Sequence, residues 1–269
     1  MPELVGAMRE RQVLLFVGAG VSNCLGLPVF SELIDHLAEE LGYDPELFRG
    51  QADYLTLCEF YSLEKGSIGP LRDWMDRKWH EGIDIGSSRV HRSIVDLNVP
   101  SIYTTNFDSW LENAHVHYGK PYAKICDVAD VANAPSNVTQ IVKFHGDFSH
   151  DESIVLTESQ YLGRLDFESP LDIKLRGDLL GKSMLFIGYS LSDINLRYMF
   201  FRLNRLWHST DSNHSMPRSY IFLTRPNEIQ ERVLRYRGVH PIVSDCDDPH
   251  DGLSRFLDGL AADVQRDKG

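Results

Sequence analysis

The sequence predicts an α/β fold, a doubly wound and mostly parallel Rossmann-like sheet with a helical insert. Short apolar segments of strand length alternate with segments of helical periodicity, a pattern that favours layered α/β proteins over all-α or all-β ones. Most intervals between strand candidates hold a dozen or more residues, as crossovers between parallel strands require. A chain of 269 residues with 42% hydrophobic content suits one domain with a substantial core. We therefore predict a single domain over residues 1–269.

The first predicted strand is the apolar run Val13–Val17, which contains no polar residue. Such a run is typical of a strand that is buried on both faces. Five further strand candidates follow along the chain: Ser101–Tyr103, Thr139–Lys143, Ser183–Ile187, Ser219–Leu223 and Val239–Val243. The polar stretch His208–Pro217 is rich in turn-forming residues and is predicted to be a loop.

Helices are predicted in the intervals between these strands. The first has apolar residues at Leu33, Ile34, Leu37 and Leu41, with Ser31 as a candidate N-cap. Residues 43–97 show a mostly helical pattern with no convincing strand, and we predict that they form the helical insert. The remaining helices are predicted at Ser109–Tyr118, Pro170–Leu180, Asp193–Leu206, Asn227–Tyr236 and Pro249–Val264.

The charge balance argues against unaided nucleic-acid binding. The chain has 39 acidic and 27 basic residues and a net charge of −12, whereas binding to phosphate backbones needs a cationic surface. A row of arginines at positions 197, 202 and 205 is interpreted as a solvated helix face. No apolar run approaches the ~20 residues that span a bilayer, and the N-terminus lacks the features of a signal peptide. We therefore predict a cytoplasmic protein without membrane contact.

Cysteine and histidine spacing predicts no metal site. The four cysteines occur singly, with no Cys-x-x-Cys pair among them: Cys24, Cys58, Cys126 and Cys246. Structural zinc ligands usually come in such close pairs. His115 and His117 lie two positions apart on a predicted helix and therefore point to different faces. We expect the cysteines to be reduced thiols in a cytosol.

Two turns that follow predicted strands carry residues suited to nucleotide binding. Gly18-Ala19-Gly20 links the first strand to a helix, which brings backbone N–H groups and a positive helix end together, as a pyrophosphate requires. Ser22 adds a hydroxyl donor. Thr104–Asp108 follows the second strand and is expected at the same carboxyl edge of the sheet. A tight turn without a ligand and helix capping by Asn106 or Asp108 are the alternative interpretations.

Two later turns repeat this arrangement. Lys143–Asp147 contains His145 directly after an apolar strand, and histidine can act as a general base near neutral pH. Phe186–Asp193 contains Gly188 and Ser190, where a ribose hydroxyl could bind the serine. A structural histidine and a simple strand–turn–helix connection are the alternatives for these two turns.

Taken together, the turns GAG, TTNFD, FHG and GYS resemble the sirtuin family (silent information regulator type), whose motifs are GAGxS, TQNxD, HG and GTS in that order. The resemblance spans roughly residues 13 to 193 and implies a catalytic domain that binds NAD. It implies chemistry for Asn106 and His145 and a contact between Asp108 and the nicotinamide carboxamide. The NAD-binding residues that it implies are Gly18, Ala19, Gly20, Ser22, Pro28, Phe30, Thr105, Gly188 and Ser190.

The departures from the family pattern point to one branch of it. The paired zinc cysteines are missing, the GIPDFR motif becomes GLPVFS while keeping Phe30, and the Gln of TQN is Thr105. These features resemble the divergent bacterial branch that hydrolyses NAD in antiphage defence. The resemblance therefore implies an NAD+ hydrolase that releases nicotinamide and ADP-ribose, with NAD+ as substrate and no metal.

Two other functions stay open at this point. One is an NAD-dependent protein deacylase, in which the helical insert would wall the acyl-lysine channel. The other is a regulatory domain that binds NAD or ADP-ribose without turnover, which the fold alone allows. The resemblance also implies a homo-oligomer and a sensor partner, namely a translocase-like ATPase, a short argonaute or a ligand-sensing domain.

Overall fold

The computed structural model describes residues 1–149, 153–164, 168–189 and 217–266, together with the short segments 197–198, 201–202 and 204–205. The predicted helix Asp193–Leu206 and the predicted loop His208–Pro217 therefore lie largely outside the described residues. Ser190 lies outside them as well. The other predicted elements fall within the described ranges.

Seven parallel strands form one sheet in the order β3-β4-β2-β1-β5-β6-β7. The strands are β1 Val13–Val17, β2 Ser101–Thr104, β3 Tyr122–Ile125, β4 Thr139–Lys143, β5 Ser183–Ile187, β6 Ser219–Leu223 and β7 Val239–Val243. The chain leaves β1 through β2 on one side and returns with β5 on the other, so the predicted doubly wound α/β fold is confirmed. Ligands bind such sheets at the carboxyl edge where the strand order reverses, which here lies at β1.

Helices cover both faces of this sheet. Within the described residues they are α1 Pro2–Arg9, α2 Ala19–Asn23, α3 Phe30–Leu41, α4 Pro45–Arg49, α5 Tyr54–Lys65, α6 Gly69–His80, α7 Arg89–Asp96, α8 Trp110–His117, α9 Val128–Asn133, α10 Glu158–Gly163, α11 Pro170–Gly181, α12 Glu228–Tyr236 and α13 Pro249–Gln265, with a 3₁₀ turn at Ile85–Ser87. None of these described helices has both the length and the apolar character that crossing a bilayer needs.

Strand β1 lies at the centre of the core because all five of its residues are buried. Successive side chains of a strand point to opposite faces of the sheet. Leu15 and Val17 accordingly join the apolar cluster beneath α1, α7 and α13, whereas Leu14 and Phe16 join the cluster beneath α11 and α12. Burial on both faces is the physical reason for the uninterrupted apolar run in the sequence.

Residues 43–97, which the structure describes in full, contain α4 to α7 and the 3₁₀ turn, with no strand. Helices α3, α5 and α6 enclose a third apolar cluster. Phe107 and Phe148, from the loops after β2 and β4, belong to that cluster. The helices of the insert therefore pack directly against the carboxyl edge of the sheet. Helix α7 instead covers the sheet itself through Val90 and Ile94.

The sequence prediction of six strands missed β3. Lys124 lies in the middle of this strand, and three of its four residues are only half-buried. Because β3 is an edge strand, it needs fewer apolar side chains than a central one and lacks the apolar run that marks the others. The helices α1, α2, α9 and α10 were also missed, and each spans eight residues or fewer.

The turns after β1 and β5 touch each other through glycines. The N–H of Gly20 donates to the carbonyl oxygen of Gly188 at 2.9 Å. A Cβ on Gly18 would lie 2.6 Å from Cδ2 of Tyr189 and closer still to the Gly188 carbonyl oxygen. Gly188 itself has a φ of +59°, which side chains disfavour. The glycines of the GAG turn are thus required for packing whether or not a ligand is present.

Replacing Gly18 with alanine is expected to lower the free energy of unfolding by about 2 kcal/mol, because the new methyl group overlaps the β5 turn. Gly6 in α1 is the matched control, since nothing lies within 4 Å of a Cβ built there. Gly6→Ala should raise stability by about 0.5–1 kcal/mol through helix propensity. Denaturant titration measures both values. Equal behaviour of the two variants would contradict the packing argument.

Candidate functional site

A cavity of about 590 Å³ opens where the carboxyl ends of β1, β2, β4 and β5 meet. Each of these strands contributes residues from the turn that follows it. The lining residues from these turns are Ala19, Ser22, Thr105, Asn106, Phe107, Asp108, His145, Gly188 and Tyr189. The topology therefore brings four distant segments of the chain to one site.

A chain of buried hydrogen bonds joins the β1 turn to the β2 loop. The Asn106 Nδ2 group donates to the Gly18 carbonyl oxygen at 3.2 Å and to the Ser22 hydroxyl at 2.9 Å. The Ser22 hydroxyl in turn donates to Oδ2 of Asp108 at 2.7 Å. All three side chains are buried, so these bonds compensate the cost of removing their polar groups from water.

Thr104 holds the start of the same loop against β1. Its hydroxyl donates to the Val17 carbonyl oxygen at 2.9 Å, and it accepts the backbone N–H of Asn106 at 3.0 Å. The other end of the loop is fixed by Oδ1 of Asp108, which accepts the N–H of Trp110 at 3.1 Å. Asp108 therefore both fixes the turn that leads into α8 and lines the cavity.

Lys143 stabilises the loop after β2 from the neighbouring strand β4. It is the last residue of β4, and only 1% of its surface is exposed. Its ammonium group donates to the backbone carbonyl oxygen of Asp108 and lies 3.5 Å from Oε1 of Glu112. Since a buried ammonium is costly without partners, Lys143 and Glu112 compensate each other beneath the cavity.

His145 faces the cavity from the turn after β4 and is 2% exposed. The next residue, Gly146, has a φ of +86°, a backbone conformation that favours glycine, and the chain turns after the histidine there. The backbone carbonyl of His145 accepts the N–H of Val155 at 2.9 Å. Nδ1 of the ring lies 3.2 Å from the hydroxyl of Tyr161. His145 is thus held by a hydrogen bond to its backbone carbonyl and by another at one nitrogen of its ring.

Asp147, two residues after His145, is paired with a cation. Burial alone would raise the pKa of Asp147, but the Lys124 ammonium at 2.6 Å from Oδ2 and the hydroxyl of Ser149 lower it to about 2.

Burial lowers the pKa of His91 to about 4 against the opposing effect of the Asp108 charge. His91 is therefore neutral at neutral pH, and its Nδ1 lies 2.7 Å from the Ser88 hydroxyl.

Another side of the cavity is apolar and comes from the loop before α3, from α3 itself and from the helical insert. The lining residues here are Leu27, Pro28, Val29, Phe30, Leu33, Tyr54, Leu55 and Trp79. The rings of Phe30 and Tyr54 lie 5.6 Å apart at the start of α3 and α5. Both rings are exposed, at 38% and 40%. A flat aromatic group entering the cavity could therefore contact either ring.

The insert is tied to the β2 loop at the end of α6. The indole N–H of Trp110 donates to the Trp79 carbonyl oxygen at 3.1 Å. Nε2 of His80 accepts the backbone N–H of Ser109 at 3.2 Å and lies 2.9 Å from its hydroxyl. The loop that carries Asn106 is consequently held by both the sheet and the insert.

Most of the residues predicted from the sequence line this cavity. Gly18 and Gly20 do not line it but build the turn beside it, so their contact with phosphates stays a prediction, as does that of Ser190. The analysis of the sequence missed Tyr54, Trp79, Tyr161 and Tyr189. The first three come from segments outside the four motifs, and no spacing in the sequence relates them to His145. Among the described residues no group of three or more His, Cys, Asp or Glu could hold a metal ion.

Comparisons with known proteins place this sequence among SIR2-like proteins. A family model described as a SIR2-like domain matches residues 100–242. Defense-associated sirtuin 2 of Bacillus subtilis is 30% identical over 242 residues, which cover 87% of this chain and 23% of that protein. NAD(+) hydrolase ThsA of Enterococcus faecium is 33% identical over 195 residues, covering 71% of this chain and 39% of the relative. The ThsA of Bacillus cereus is 27% identical over 254 residues, covering 92% and 50%.

Solved structures share the fold. A crystal structure of a Sir2 homologue in complex with NAD superposes with a TM-score of 0.56 at 13% identity, covering 99% of this chain and 94% of that one. A structure of a Sir2 enzyme gives a TM-score of 0.51 at 11% identity, covering 98% of this chain and 96% of that one. At these identities the likeness shows the fold alone. The chain spans half or less of the length of the curated relatives described above.

Replacing Lys143 with methionine is expected to lower the free energy of unfolding by about 3–5 kcal/mol, because Glu112 then stays buried without its cation. Lys143→Met combined with Glu112→Gln should recover much of that loss, since no unpaired charge remains. Lys78, whose pair with Glu81 is exposed at 3.6 Å, is the matched control, and Lys78→Met should cost less than about 1 kcal/mol. Denaturant titration of these three variants would contradict this account if Lys143→Met and Lys78→Met lost the same amount.

Proposed function

The chain belongs to the SIR2-like domain family, and from that premise we propose that its cavity binds NAD+ and hydrolyses it to nicotinamide and ADP-ribose. The observation that carries this proposal is the meeting of Asn106 and His145 in one cavity of about 590 Å³, a volume in the range of small-molecule sites. The named activity of the ThsA relatives supports the same reaction.

The reaction is the cleavage of the glycosidic bond between the ribose and the nicotinamide nitrogen. The electron pair of that bond goes to the nicotinamide, which leaves as a neutral molecule and needs no strong acid. Water forms the new bond to the ribose carbon and loses a proton. Catalysis then depends on holding the ribose in a reactive pose and on admitting one water molecule while excluding others.

We assign the polar chemistry to two side chains. The Nδ2 group of Asn106 is committed to Gly18 and Ser22, so its amide oxygen is the atom that can accept from a water or a ribose hydroxyl. His145 accepts the proton released in the reaction, as a general base. Both side chains are buried, which strengthens their interactions with a bound substrate.

The nicotinamide is proposed to lie between Asp108 and the apolar wall. The two oxygens of Asp108 accept from Ser22 and Trp110, and a carboxylate oxygen can accept more than one hydrogen bond. The nicotinamide carboxamide is a suitable further donor. Phe30 would cover the ring, and the turns bearing Ala19 and Gly188 would face the rest of the dinucleotide.

We extend the proposal to the cellular role. The relatives named as a defence-associated sirtuin and as NAD(+) hydrolases support an effector that acts in the cytoplasm by depleting NAD+ during antiphage defence. Such an activity would harm the host if it were always on. We therefore propose control through homo-oligomerisation and a sensor, either a translocase-like ATPase, a short argonaute or a ligand-sensing domain.

His145→Ala and Asn106→Ala are each expected to lower the rate of nicotinamide release by roughly 10²-fold or more, because the first removes the general base and the second removes the group that positions the water and the ribose. His117→Ala and Asn133→Ala change the same residue types at exposed positions and should keep the parental rate. Chromatography of NAD+ incubations, with and without candidate partners, measures the products. Full turnover by both cavity variants would contradict the assignment.

The same experiment separates the two other functions. An acetylated peptide added to the incubation would lose its acetyl group in step with NAD+ consumption if the protein were a deacylase. Calorimetric binding of NAD+ without any product, in the presence of each partner, would indicate a regulatory domain instead. Nicotinamide and ADP-ribose without peptide deacylation are the products that the proposed hydrolase forms.

A further inference from the structure

The side chain of Tyr161 contacts the imidazole of His145. The tyrosine hydroxyl lies 3.2 Å from Nδ1 of the imidazole. The two rings meet edge to face, with centroids 5.0 Å apart and planes at 76°. Tyr161 also lines the cavity. Its hydroxyl is therefore placed to decide which ring nitrogen of His145 carries the proton.

We propose that Tyr161 is a positioning residue that accepts the Nδ1–H of His145 and so presents Nε2 to the substrate as a lone pair. This inference rests on the proposed function, since it concerns the base in that reaction. A neutral histidine has one donor and one acceptor nitrogen, and the role of its hydrogen-bond partner selects the tautomer. The tyrosine hydroxyl can take either role, and the proposal assigns it the accepting one. Because Nδ1 is engaged by Tyr161, proton transfer from a substrate falls to Nε2.

The short helix α10 carries Tyr161 and is fixed at its beginning. Thr157 caps it through a hydrogen bond to the backbone N–H of Gln160, while the Gln160 side chain accepts the N–H of Thr157 at 2.9 Å. Helix α5 adds two connections. Glu59 accepts the N–H of Ser159 at 2.8 Å, and the Thr56 hydroxyl lies 3.3 Å from Glu158. The tyrosine is therefore held on a segment with little freedom to shift.

The end of α10 is fixed to the backbone beside His145. Arg164 donates to the carbonyl oxygen of Phe144 and to Oδ1 of Asp172, the latter at 2.7 Å. Its guanidinium also lies 4.2 Å from the centre of the Phe144 ring. One segment thus carries both the tyrosine that contacts the imidazole and the arginine that holds the preceding residue. This double connection limits how far the tyrosine can move relative to the imidazole.

The first test reads the tautomer directly and does not depend on activity. Nitrogen-15 NMR of histidine-labelled protein, with the signals assigned by His145→Ala, should show the proton of neutral His145 on Nδ1. In Tyr161→Phe we expect a mixture of both tautomers or a change to Nε2–H. A wild-type protein with the proton on Nε2, or a tautomer that Tyr161→Phe leaves unchanged, would overturn the inference.

The second test measures nicotinamide release. Tyr161→Phe should lower kcat by about tenfold or more while KM changes less than about twofold, because a base in the wrong tautomer still permits binding. The acid limb of its pH profile should move to lower pH, since Tyr161 would no longer accept from the protonated ring. The variant keeps the charges near His145, which are those of Arg164 beside Phe144 and of Asp108 in the cavity wall. The shift therefore reports the loss of the tyrosine hydroxyl. A shift to higher pH would mean that the hydroxyl donates, which contradicts the proposal.

Tyr61→Phe is the matched control. Its hydroxyl donates to Glu40 at 2.5 Å, outside the cavity, so this variant also loses one tyrosine hydrogen bond. It should keep the tautomer of His145, the kcat and the pH profile even if its stability falls. Equal losses of kcat in both variants would reduce Tyr161 to a structural role. If the wild type released no nicotinamide, the proposed function would fail while the NMR result still decided the inference.

Discussion

The close approach of the turns after β1 and β5 is the constraint on which the rest of the site depends. These turns can touch only because Gly18, Gly20 and Gly188 carry no side chains at their contact. That contact fixes the Gly18 carbonyl oxygen and the start of α2, which carries Ser22. Asn106 binds both of these groups from the next strand. The position of the amide at the centre of the proposed reaction therefore follows from the packing of glycines.

Several buried polar groups around the cavity are held by partners from other segments of the chain. Asn106, Ser22 and Asp108 form a chain between two strands, and Lys143 with Glu112 supports it from beneath. Such groups are costly to bury alone and specify a unique arrangement when they are satisfied. The same bonds that stabilise the fold thus orient the side chains that face the cavity, so stability and site geometry are not separable here.

Much of the site could be predicted from the sequence because its four motifs each follow an apolar strand. The runs at Val13–Val17 and Ser183–Ile187 predict central strands, and parallel strands bring their carboxyl ends together. Asn106 and His145 could therefore be placed at one edge before any coordinates were known. The edge strand β3 could not be predicted, because a half-buried strand with Lys124 at its middle lacks the apolar signal.

Other parts of the site depend on tertiary packing and leave no local trace. Trp79 and Tyr54 reach the cavity because α5 and α6 pack over the sheet edge, and nothing in their spacing relates them to the motifs. Tyr161 lies in α10, whose start has a capping box formed by Thr157 and Gln160 that the sequence prediction did not use. That pattern would not give the direction in which the tyrosine points. For the glycines of the GAG turn, the local sequence pattern has two explanations. Their pattern predicts phosphate binding, yet the packing against Gly188 is sufficient to require them.

The measurement that tests the account most directly is a crystal structure of the His145→Ala variant with NAD+ bound. The dinucleotide is expected to lie in the cavity at the ends of β1, β2, β4 and β5, with its nicotinamide ribose beside Asn106 and its nicotinamide between Asp108 and Phe30. A dinucleotide bound elsewhere, or one whose nicotinamide ribose points away from Asn106 and the vacated imidazole position, would contradict it.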